Sequence, residues 1–305
     1  MSSTFFRVTV PASTSNLGSG FDTISAALSL SLTVDVELTS GDKIDWVEGW
    51  DLPARDNILD RSLRTALATL GGKPAGIRVV MDNPIPLKRG LGSSGAAIIA
   101  GIKIAEQLCQ VVLSPDQVFE VAYPLEGHPD NLSASLLGGW VLSRISRGKM
   151  RAERLPSLLS CRFVLAIPEV TISTREARSI LPDRYPLEDA THNLQRCALL
   201  VHALTSGRKE LLREATEDRL HQSYRSRLVP GLQKLLSSEG LREELSRSLL
   251  GISISGSGSA VTALADGHYH MIGEWMVQTL SAEGTPAIYK ILDLDTKGAQ
   301  VTASP

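Results

Sequence analysis

One short segment carries the residue types that phosphate chemistry requires. Gly90-Leu-Gly-Ser-Ser-Gly95 follows Lys88 and Arg89 and opens an apolar stretch that runs to Val111. Glycines leave backbone N–H groups free to turn inward, and the positive end of a helix adds to them, so the segment is suited to bind a polyphosphate. The alternative is a tight helix entry in which the serines only cap the helix.

Two further segments have a similar composition. PASTSNLGSGFD, at 11–22, combines hydroxyls, an amide, two glycines and a carboxylate after a strand-like run, and SGSGS, at 255–259, lies between two β-branched runs. Small polar loops often only turn the chain. Glycine, however, lets the backbone approach a ligand closely. Three such segments in one chain favour a binding cleft to which all of them contribute.

The segment at 90–95 also satisfies the formal GxGxxG pattern of dinucleotide binding, but its context does not fit. Residues 83–89 contain two prolines and separate it from the preceding strand-like run, and Asp116 lies in a helix-cap signal instead of at the end of a second strand. The chain contains neither GxxxxGK[ST] nor GxSxG. A nicotinamide enzyme, a phosphate-loop ATPase and an α/β-hydrolase are therefore disfavoured.

Composition excludes other classes. The chain has 305 residues, 31 Lys and Arg against 33 Asp and Glu, and a net charge of −2, so it has no broad positive field for nucleic acid. Its three cysteines have no metal or redox spacing. No signal peptide is evident, and the most apolar run, 95–102, is interrupted by Lys103. We expect a cytoplasmic protein that binds neither nucleic acid nor membrane.

Hydrophobic periodicity predicts a mixed α+β chain with a domain boundary near residue 150. This gives an N-terminal domain over 1–150 and a C-terminal domain over 151–305, each large enough to bury a core. The expected strands are 6–10, 28–38, 77–81, 136–145, 163–167, 251–254 and 261–265, and the expected helices are 61–70, 93–111, 114–123, 190–204, 209–221 and 232–249.

Taken in order, several segments resemble the signatures of the GHMP kinases, small-molecule kinases whose glycine-serine loop holds ATP. These segments are PASTSNLGSGFD (11–22), PLKRGLGSSGAA (86–97), LEGHPDNLSASLLGGW (125–140) and ISGSGSAVTAL (254–264). EGHPDN, TREARSILP (174–182) and YRSRLVPG (224–231) resemble the homoserine kinase branch. The resemblance implies a two-domain GHMP kinase fold, with an N-terminal domain like ribosomal S5 domain 2, a ferredoxin-like C-terminal domain and ATP between them.

The implied reaction is transfer of the γ-phosphoryl group of ATP to the side-chain hydroxyl of L-homoserine, giving O-phospho-L-homoserine for threonine biosynthesis. The resemblance also implies a homodimer. Two alternatives stay open. One is a related GHMP kinase that acts on another small alcohol, such as threonine or mevalonate, and the other is a non-catalytic GHMP sensor of metabolites.

The resemblance assigns residues to the nucleotide and the metal. Mg²⁺ would be bound by Ser94 and Glu126, since hard oxygen donors suit that ion. Nucleotide contacts are expected from Asn57, Pro86, Leu87, Lys88, Arg89, Gly90, Leu91, Gly92, Ser93, Ser94, Gly95, Ala96, Gly256, Ser257 and Gly258.

Homoserine is a zwitterion with a terminal hydroxyl, so its pocket needs cations, an anion and a group that orients the hydroxyl. By resemblance, Arg178 and Arg225 bind the carboxylate, and Asp22 binds the ammonium group with Asn16 nearby. Asp130 and Asn131 would position the hydroxyl. The expected catalytic set is Asn131, Asp130, Glu126 and Arg225, with no dedicated base, because phosphoryl transfer depends mainly on positioning and charge neutralisation.

The sequence departs from the family pattern at two loop positions. The family usually has proline where Ser19 and Ser259 stand. Because proline fixes φ, these serines are expected to loosen their loops without removing a donor or acceptor from the chemistry.

Overall fold

The computed structural model describes residues 5–47, 57–72 and 76–303. Its elements form two β-sheets with helices packed against them, so the predicted mixed α+β class is confirmed. Among the described residues, no helix combines the length and the apolarity that a bilayer crossing needs.

The first sheet is built on one long antiparallel hairpin of β1 (Phe5–Asn16) and β2 (Gly20–Leu38). Apolar residues alternate with polar ones at the start of β1, so one face of this part of the sheet is buried. The strand order is β11-β1-β2-β4-β3, and β5 pairs with β2 and with β6. The other strands are β3 (Ile44–Trp46), β4 (Ile77–Asp82), β5 (Trp140–Ser146), β6 (Lys149–Arg154) and β11 (Gln300–Ala303).

Four helices lie in the N-terminal half: α1 (Ile58–Thr69), α2 (Ser93–Cys109), α3 (Pro115–Glu126) and α4 (Pro129–Leu137). The last three contact the sheet, and α1 packs against α2 and α3. The Ala/Ile-rich α2 is buried along most of its length and contacts β1, α1 and α4. A helix that is apolar on all sides is stable only inside a core. Its N-terminus, which carries Ser93 and Ser94, is therefore held at a fixed place beside β1.

The second sheet has the order β10-β7-β9-β8 and is antiparallel throughout. It contains β7 (Arg162–Pro168), β8 (Leu249–Ile254), β9 (Val261–Ala265) and β10 (Ala287–Leu292). Residues 163, 165 and 167 of β7 belong to the same core as the first sheet. Residues 164 and 166 belong to a second core with α11 (Tyr269–Ala282). The period-2 geometry of β7 therefore buries both of its faces and joins the two sheets.

The remaining helices are α5 (Thr174–Ser179), α6 (Leu187–Ser206), α7 (Leu212–Ala215), α8 (Gln222–Arg225), α9 (Leu232–Leu236) and α10 (Glu243–Ser246), of which α6 is long and the others are short. The single helices expected at 209–221 and 232–249 are wrong. The first stops because the Asp218 carboxylate accepts hydrogen bonds from the N–H groups of Leu220, His221 and Gln222, which starts a new helix. The second ends at Leu236, and positive φ angles at Ser238 (+56°) and Gly240 (+73°) keep the chain from continuing as a helix.

The segment 11–22 is not the open loop that the sequence suggested. β1 continues to Asn16 and β2 begins at Gly20, with register shifts after Pro11 and after Ser15. Positive φ angles at Asn16, Leu17 and Gly18 produce the tight turn between the strands. The polar side chains of this segment are therefore carried on rigid strands and not on a loop.

Sheet membership does not follow the predicted domain halves at every point. Residue 150 lies inside β6, and β11 returns from the C-terminus to pair with β1. The division into 1–150 and 151–305 stays a prediction.

Close packing of α2 against α1 can be tested at Gly101. A Cβ atom there would lie 2.0 Å from Ser62 Oγ and 2.6 Å from the Leu59 carbonyl oxygen, so Gly101→Ala must push the two helices apart. We expect a loss of about 1–3 kcal/mol in the free energy of unfolding, measured by urea denaturation. Gly41→Ala is the control, since its Cβ would approach no atom nearer than 3.9 Å. Equal stability of the two variants would contradict this packing.

Candidate active site

A cleft with a volume of about 260 Å³ opens where the glycine segment, the end of β1 and the turn after β8 meet. Most of the side chains that the sequence singled out line it. They are Asn16, Asp22, Pro86, Lys88, Gly90, Leu91, Gly92, Ser93, Ser94, Glu126, Asp130, Asn131, Arg178, Arg225, Gly256 and Ser257. The cleft also contains residues that the sequence analysis did not select, namely Ser15, His128, Ile172, Ser173 and Thr174.

Just before α2, two glycines of the glycine segment stand at positions where a side chain would not fit. Gly90 and Gly92 have φ angles of +76° and +70°, and a Cβ on either would lie 2.0 Å from a neighbouring oxygen. For Gly90 the neighbour is the Ser255 carbonyl oxygen, and for Gly92 it is Ser13 Oγ. The first N–H groups of α2 have no partner within the helix, so this end of the cleft can bind phosphate oxygens.

Ser94 and Glu126 form a hydrogen-bonded pair at the N-terminus of α2. Ser94 Oγ donates to Glu126 Oε2 at 2.6 Å. Burial raises the pKa of Glu126, and the bond from Ser94 acts in the opposite direction. A half-buried carboxylate that lies next to a hydroxyl is a set of hard oxygen donors, and its ionised form is stabilised when a cation binds.

Asp130 and Asn131 occupy the first turn of α4, which begins at Pro129. Both the backbone N–H and the side-chain Nδ2 of Asn131 donate to Asp130 Oδ1, at 2.8 and 3.2 Å. Asn131 Oδ1 accepts from Ser13 Oγ at 2.9 Å. Asp130 is 3% exposed, and burial together with the nearby Asp22 raises its pKa to about 6. The pair is therefore held rigidly against β1.

Opposite charges meet at the other end of the cleft. Arg178 Nη2 donates to Asp22 Oδ1 at 2.5 Å, and each of these side chains is 33% exposed. The backbone N–H of Asp22 donates to Asn16 Oδ1 at 3.0 Å. Arg178 Nε is buried and has no hydrogen-bond partner among the described residues. This set has the charges that a zwitterion would bind.

Arg225 is almost completely buried, with 2% of its surface exposed. Its Nε donates to the Ala177 carbonyl oxygen at 3.1 Å, and its Nη1 donates to the Gly256 carbonyl oxygen at 3.0 Å. Burial, aided by the nearby Arg178, lowers the pKa of Arg225 to about 10, so the side chain stays charged at neutral pH.

Phe21 and His221 support the two arginines, and no sequence pattern predicted this role. The guanidinium carbons of Arg178 and Arg225 lie 5.4 and 5.2 Å from the centre of the Phe21 ring, within the range of cation–π contact. His221 stacks on the same ring at 5.1 Å. Its Nε2 lies 2.9 Å from the Gly18 carbonyl oxygen, so Nε2 carries the proton and Nδ1 faces Arg225 Nη1 at 3.4 Å.

Other predicted nucleotide residues do not line the cleft. Asn57 is buried as the N-cap of α1, where its side chain accepts from Leu59 N and Asp60 N. The Arg89 guanidinium donates to the carbonyl oxygens of Leu87, Pro168 and Glu169. Leu87 is exposed, and Gly95, Ala96 and Gly258 lie behind the cleft surface. Their nucleotide contacts stay predictions.

Comparison with known proteins agrees with this geometry. Residues 57–139 match the family model of the GHMP kinases N terminal domain. A homoserine kinase from Persephonella marina is 37% identical over 298 residues, which are 97% of each chain. A homoserine kinase from Streptomyces avermitilis is 43% identical over 302 residues, covering 97% of this chain and 95% of the relative.

Solved structures agree as well. The crystal structure of homoserine kinase from Cytophaga hutchinsonii superposes with a TM-score of 0.87 at 26% identity and covers 99% of this chain and 98% of that one. A mevalonate kinase, with a TM-score of 0.71 and 17% identity, shows the same fold. The predicted GHMP kinase fold is therefore confirmed. With relatives this similar along nearly its whole length, the chain belongs to the homoserine kinase family of ATP-dependent GHMP kinases.

Proposed function

We propose that this protein transfers the γ-phosphoryl group of ATP to the side-chain hydroxyl of L-homoserine. One observation carries the proposal. A single cleft contains both the N-terminus of α2, which suits phosphate, and the Arg178, Arg225 and Asp22 side chains, which suit an amino acid. The homoserine kinases that this chain resembles support the same assignment.

The phosphate end of the cleft is formed mainly by backbone. Residues 90–94 present N–H groups and the Ser93 and Ser94 hydroxyls, and Lys88 adds positive charge at the edge. These groups neutralise the triphosphate and fix the position of the γ-phosphoryl group. Catalysis in such a site depends on positioning more than on covalent chemistry.

Ser94 and Glu126 would hold Mg²⁺. The 2.6 Å pair offers one hydroxyl and one carboxylate, the hard oxygen donors that suit this ion. The described residues contain no cluster of three or more His, Cys, Asp or Glu side chains that could hold a metal ion without further ligands. A small number of protein ligands is enough for Mg²⁺, because this ion usually keeps waters and substrate phosphate oxygens as its other ligands. The bound ion would neutralise charge on the phosphates.

The Arg178–Asp22 ion pair occupies the expected amino-acid end of the cleft. In the free protein the two side chains neutralise each other. When homoserine binds, each of them would pair with the oppositely charged group of the amino acid. Its carboxylate would bind Arg178 and Arg225, and its ammonium group would bind Asp22. Arg178 Nε, which has no hydrogen-bond partner among the residues that the structure describes, would gain one.

Asp130 and Asn131 then orient the hydroxyl. The hydroxyl oxygen forms a bond to the γ-phosphorus while the bond from that phosphorus to the β,γ-bridging oxygen breaks, which leaves ADP. The hydroxyl proton passes to the transferred phosphoryl group or to solvent. Asp130 acts by accepting a hydrogen bond, which its ionised form does more strongly than its protonated form.

A coupled ADP-release assay tests the proposal directly. Purified protein with Mg-ATP would be given L-homoserine, L-threonine, L-serine or mevalonate. We expect L-homoserine to have the highest kcat/KM. A higher value for another alcohol would instead indicate a related GHMP kinase, and no turnover with any of them would indicate a sensor. Sedimentation equilibrium would test the homodimer that the resemblance implies.

Replacement of Arg225 tests the carboxylate clamp. Arg225→Ala should raise KM for L-homoserine about 10- to 100-fold and leave KM for ATP unchanged, because a charge-assisted hydrogen bond to the carboxylate is lost. Arg227→Ala is the matched control, since Arg227 is exposed and its guanidinium lies against Tyr224. An unchanged KM for homoserine in Arg225→Ala would remove this residue from the site.

Replacement of Glu126 tests the metal assignment. Glu126→Gln should lower kcat/KM for ATP roughly 100-fold at limiting Mg²⁺ and weaken Mg²⁺ binding in calorimetry with the ADP complex. Homoserine affinity should not change. Glu120→Gln, on the exposed face of the same helix and paired with Lys149, is the control. If Glu126→Gln and Glu120→Gln bind Mg²⁺ equally well, Glu126 is not a ligand.

The pH dependence follows from Asp130. Its pKa is raised to about 6, so the carboxyl group becomes protonated as the pH falls through 6 and then accepts the hydrogen bond more weakly. We expect kcat/KM for homoserine to be level above pH 7 and to fall as the pH drops through 6.

In Asp130→Asn, this inflection should disappear and a measurable kcat should remain. Loss of all turnover with native folding and unchanged homoserine binding would contradict a purely positional role.

A further inference from the structure

Two buried serine hydroxyls lack hydrogen-bond partners in the described part of the first sheet. Ser15 on β1 and Ser25 on β2 are register partners across the hairpin, with exposures of 1% and 0%. Neither Oγ atom has a partner. Buried polar groups are almost always satisfied in native proteins, so each such atom requires an explanation.

The two serines differ in what they adjoin. Ser15 lines the cleft, and Ser25 does not. Strand alternation places Ser15 on the same side of β1 as Ser13, whose hydroxyl donates to Asn131. A Cβ on Gly256 would lie 3.3 Å from Ser15 Oγ. Ser15 Oγ therefore lies between the start of α4 and the turn that follows β8.

The group near Ser15 that has a proposed role in the reaction is Asp130. The Ser15 hydroxyl lies close enough to favour the ionised form and so lower the pKa of Asp130, although no complete hydrogen bond joins them. Two other polar side chains near Ser15 already have hydrogen-bond partners within the protein. Asn16 donates to the Gly256 carbonyl oxygen and accepts from Asp22 N, and Asn131 is held by Ser13 and Asp130.

We propose that Ser15 is a substrate-binding residue whose hydroxyl donates a hydrogen bond to the side-chain oxygen of the acceptor alcohol. This inference rests on the proposed function. The substrate hydroxyl donates its own hydrogen to Asp130 and accepts from Ser15, so two of its three bonding directions are fixed. The remaining lone pair is then free to point at the γ-phosphorus. The unsatisfied oxygen in the free protein is thus a preformed site for the alcohol.

Calorimetry with two ligands separates this role from a structural one. The wild type, Ser15→Ala and the control Ser25→Ala would each be titrated with L-homoserine and with L-2-aminobutyrate, in the presence of a non-hydrolysable ATP analogue. L-2-aminobutyrate keeps the ammonium and carboxylate groups and lacks the hydroxyl. We expect Ser15→Ala to weaken homoserine binding roughly 5- to 10-fold and to leave 2-aminobutyrate binding unchanged.

Ser25→Ala should change neither affinity, and neither variant should lower the melting temperature by more than a few degrees, because neither deleted oxygen has a complete hydrogen bond within the described residues. Unchanged homoserine affinity in Ser15→Ala, equal weakening of both ligands, or the same loss in Ser25→Ala would each overturn the assignment. Failure of the wild type to bind homoserine would contradict the proposed function itself, and is seen before any variant is compared.

Discussion

A buried chain of hydroxyl groups holds the cleft together. Ser255 Oγ donates to the Gly90 carbonyl oxygen at 2.8 Å and lies 2.9 Å from Thr14 Oγ1, which lies 2.9 Å from Thr262 Oγ1. Thr14 belongs to the first sheet, Thr262 belongs to the second, and Gly90 belongs to the glycine segment. Because these groups are buried, breaking one bond would leave polar atoms without partners and without water.

The backbone around this junction reinforces it. Gly256 N donates to the Ser15 carbonyl oxygen, Ala260 N donates to the Arg89 carbonyl oxygen, and Ser13 N donates to the Leu91 carbonyl oxygen. Three chain segments distant in sequence are thus linked within a few residues. The phosphate end and the amino-acid end of the cleft therefore share one rigid wall, which in-line phosphoryl transfer requires.

Two serines replace the prolines that are usual in the family, and each serine makes a hydrogen bond that restrains its loop. Ser19 Oγ donates to the Ala215 carbonyl oxygen at 2.7 Å, and Ser259 Oγ donates to the Val170 carbonyl oxygen. The sequence predicted looser loops from the loss of a fixed φ. A buried hydrogen bond to the neighbouring segment restrains each position instead, so the expected looseness does not follow from the substitutions alone.

Local composition predicted the glycine segments and the mixed fold, and the family resemblance predicted most of the cleft lining. Arg178 and Arg225 were also assigned by resemblance, since exposed and buried arginines look alike in a sequence. The support of both arginines by Phe21 had no local signal, because it depends on contacts between the start of β2 and two distant helices.

The free oxygen of Ser15 was equally invisible, because Ser13, Thr14 and Ser15 are chemically similar and only the fold distinguishes their partners. The predictions of single helices at 209–221 and 232–249 were wrong for the same kind of reason. The hydrogen bonds that the Asp218 carboxylate accepts, and the positive φ angles at Ser238 and Gly240, outweighed an apolar periodicity that was otherwise helical.

A crystal structure of the protein with a non-hydrolysable ATP analogue and L-homoserine tests the central claim most directly. The account predicts the γ-phosphate against residues 90–94 and the amino-acid carboxylate between Arg178 and Arg225, with the hydroxyl oxygen facing the γ-phosphorus. Nucleotide bound away from α2, or homoserine bound outside the cleft that the hydroxyl chain holds together, would contradict it.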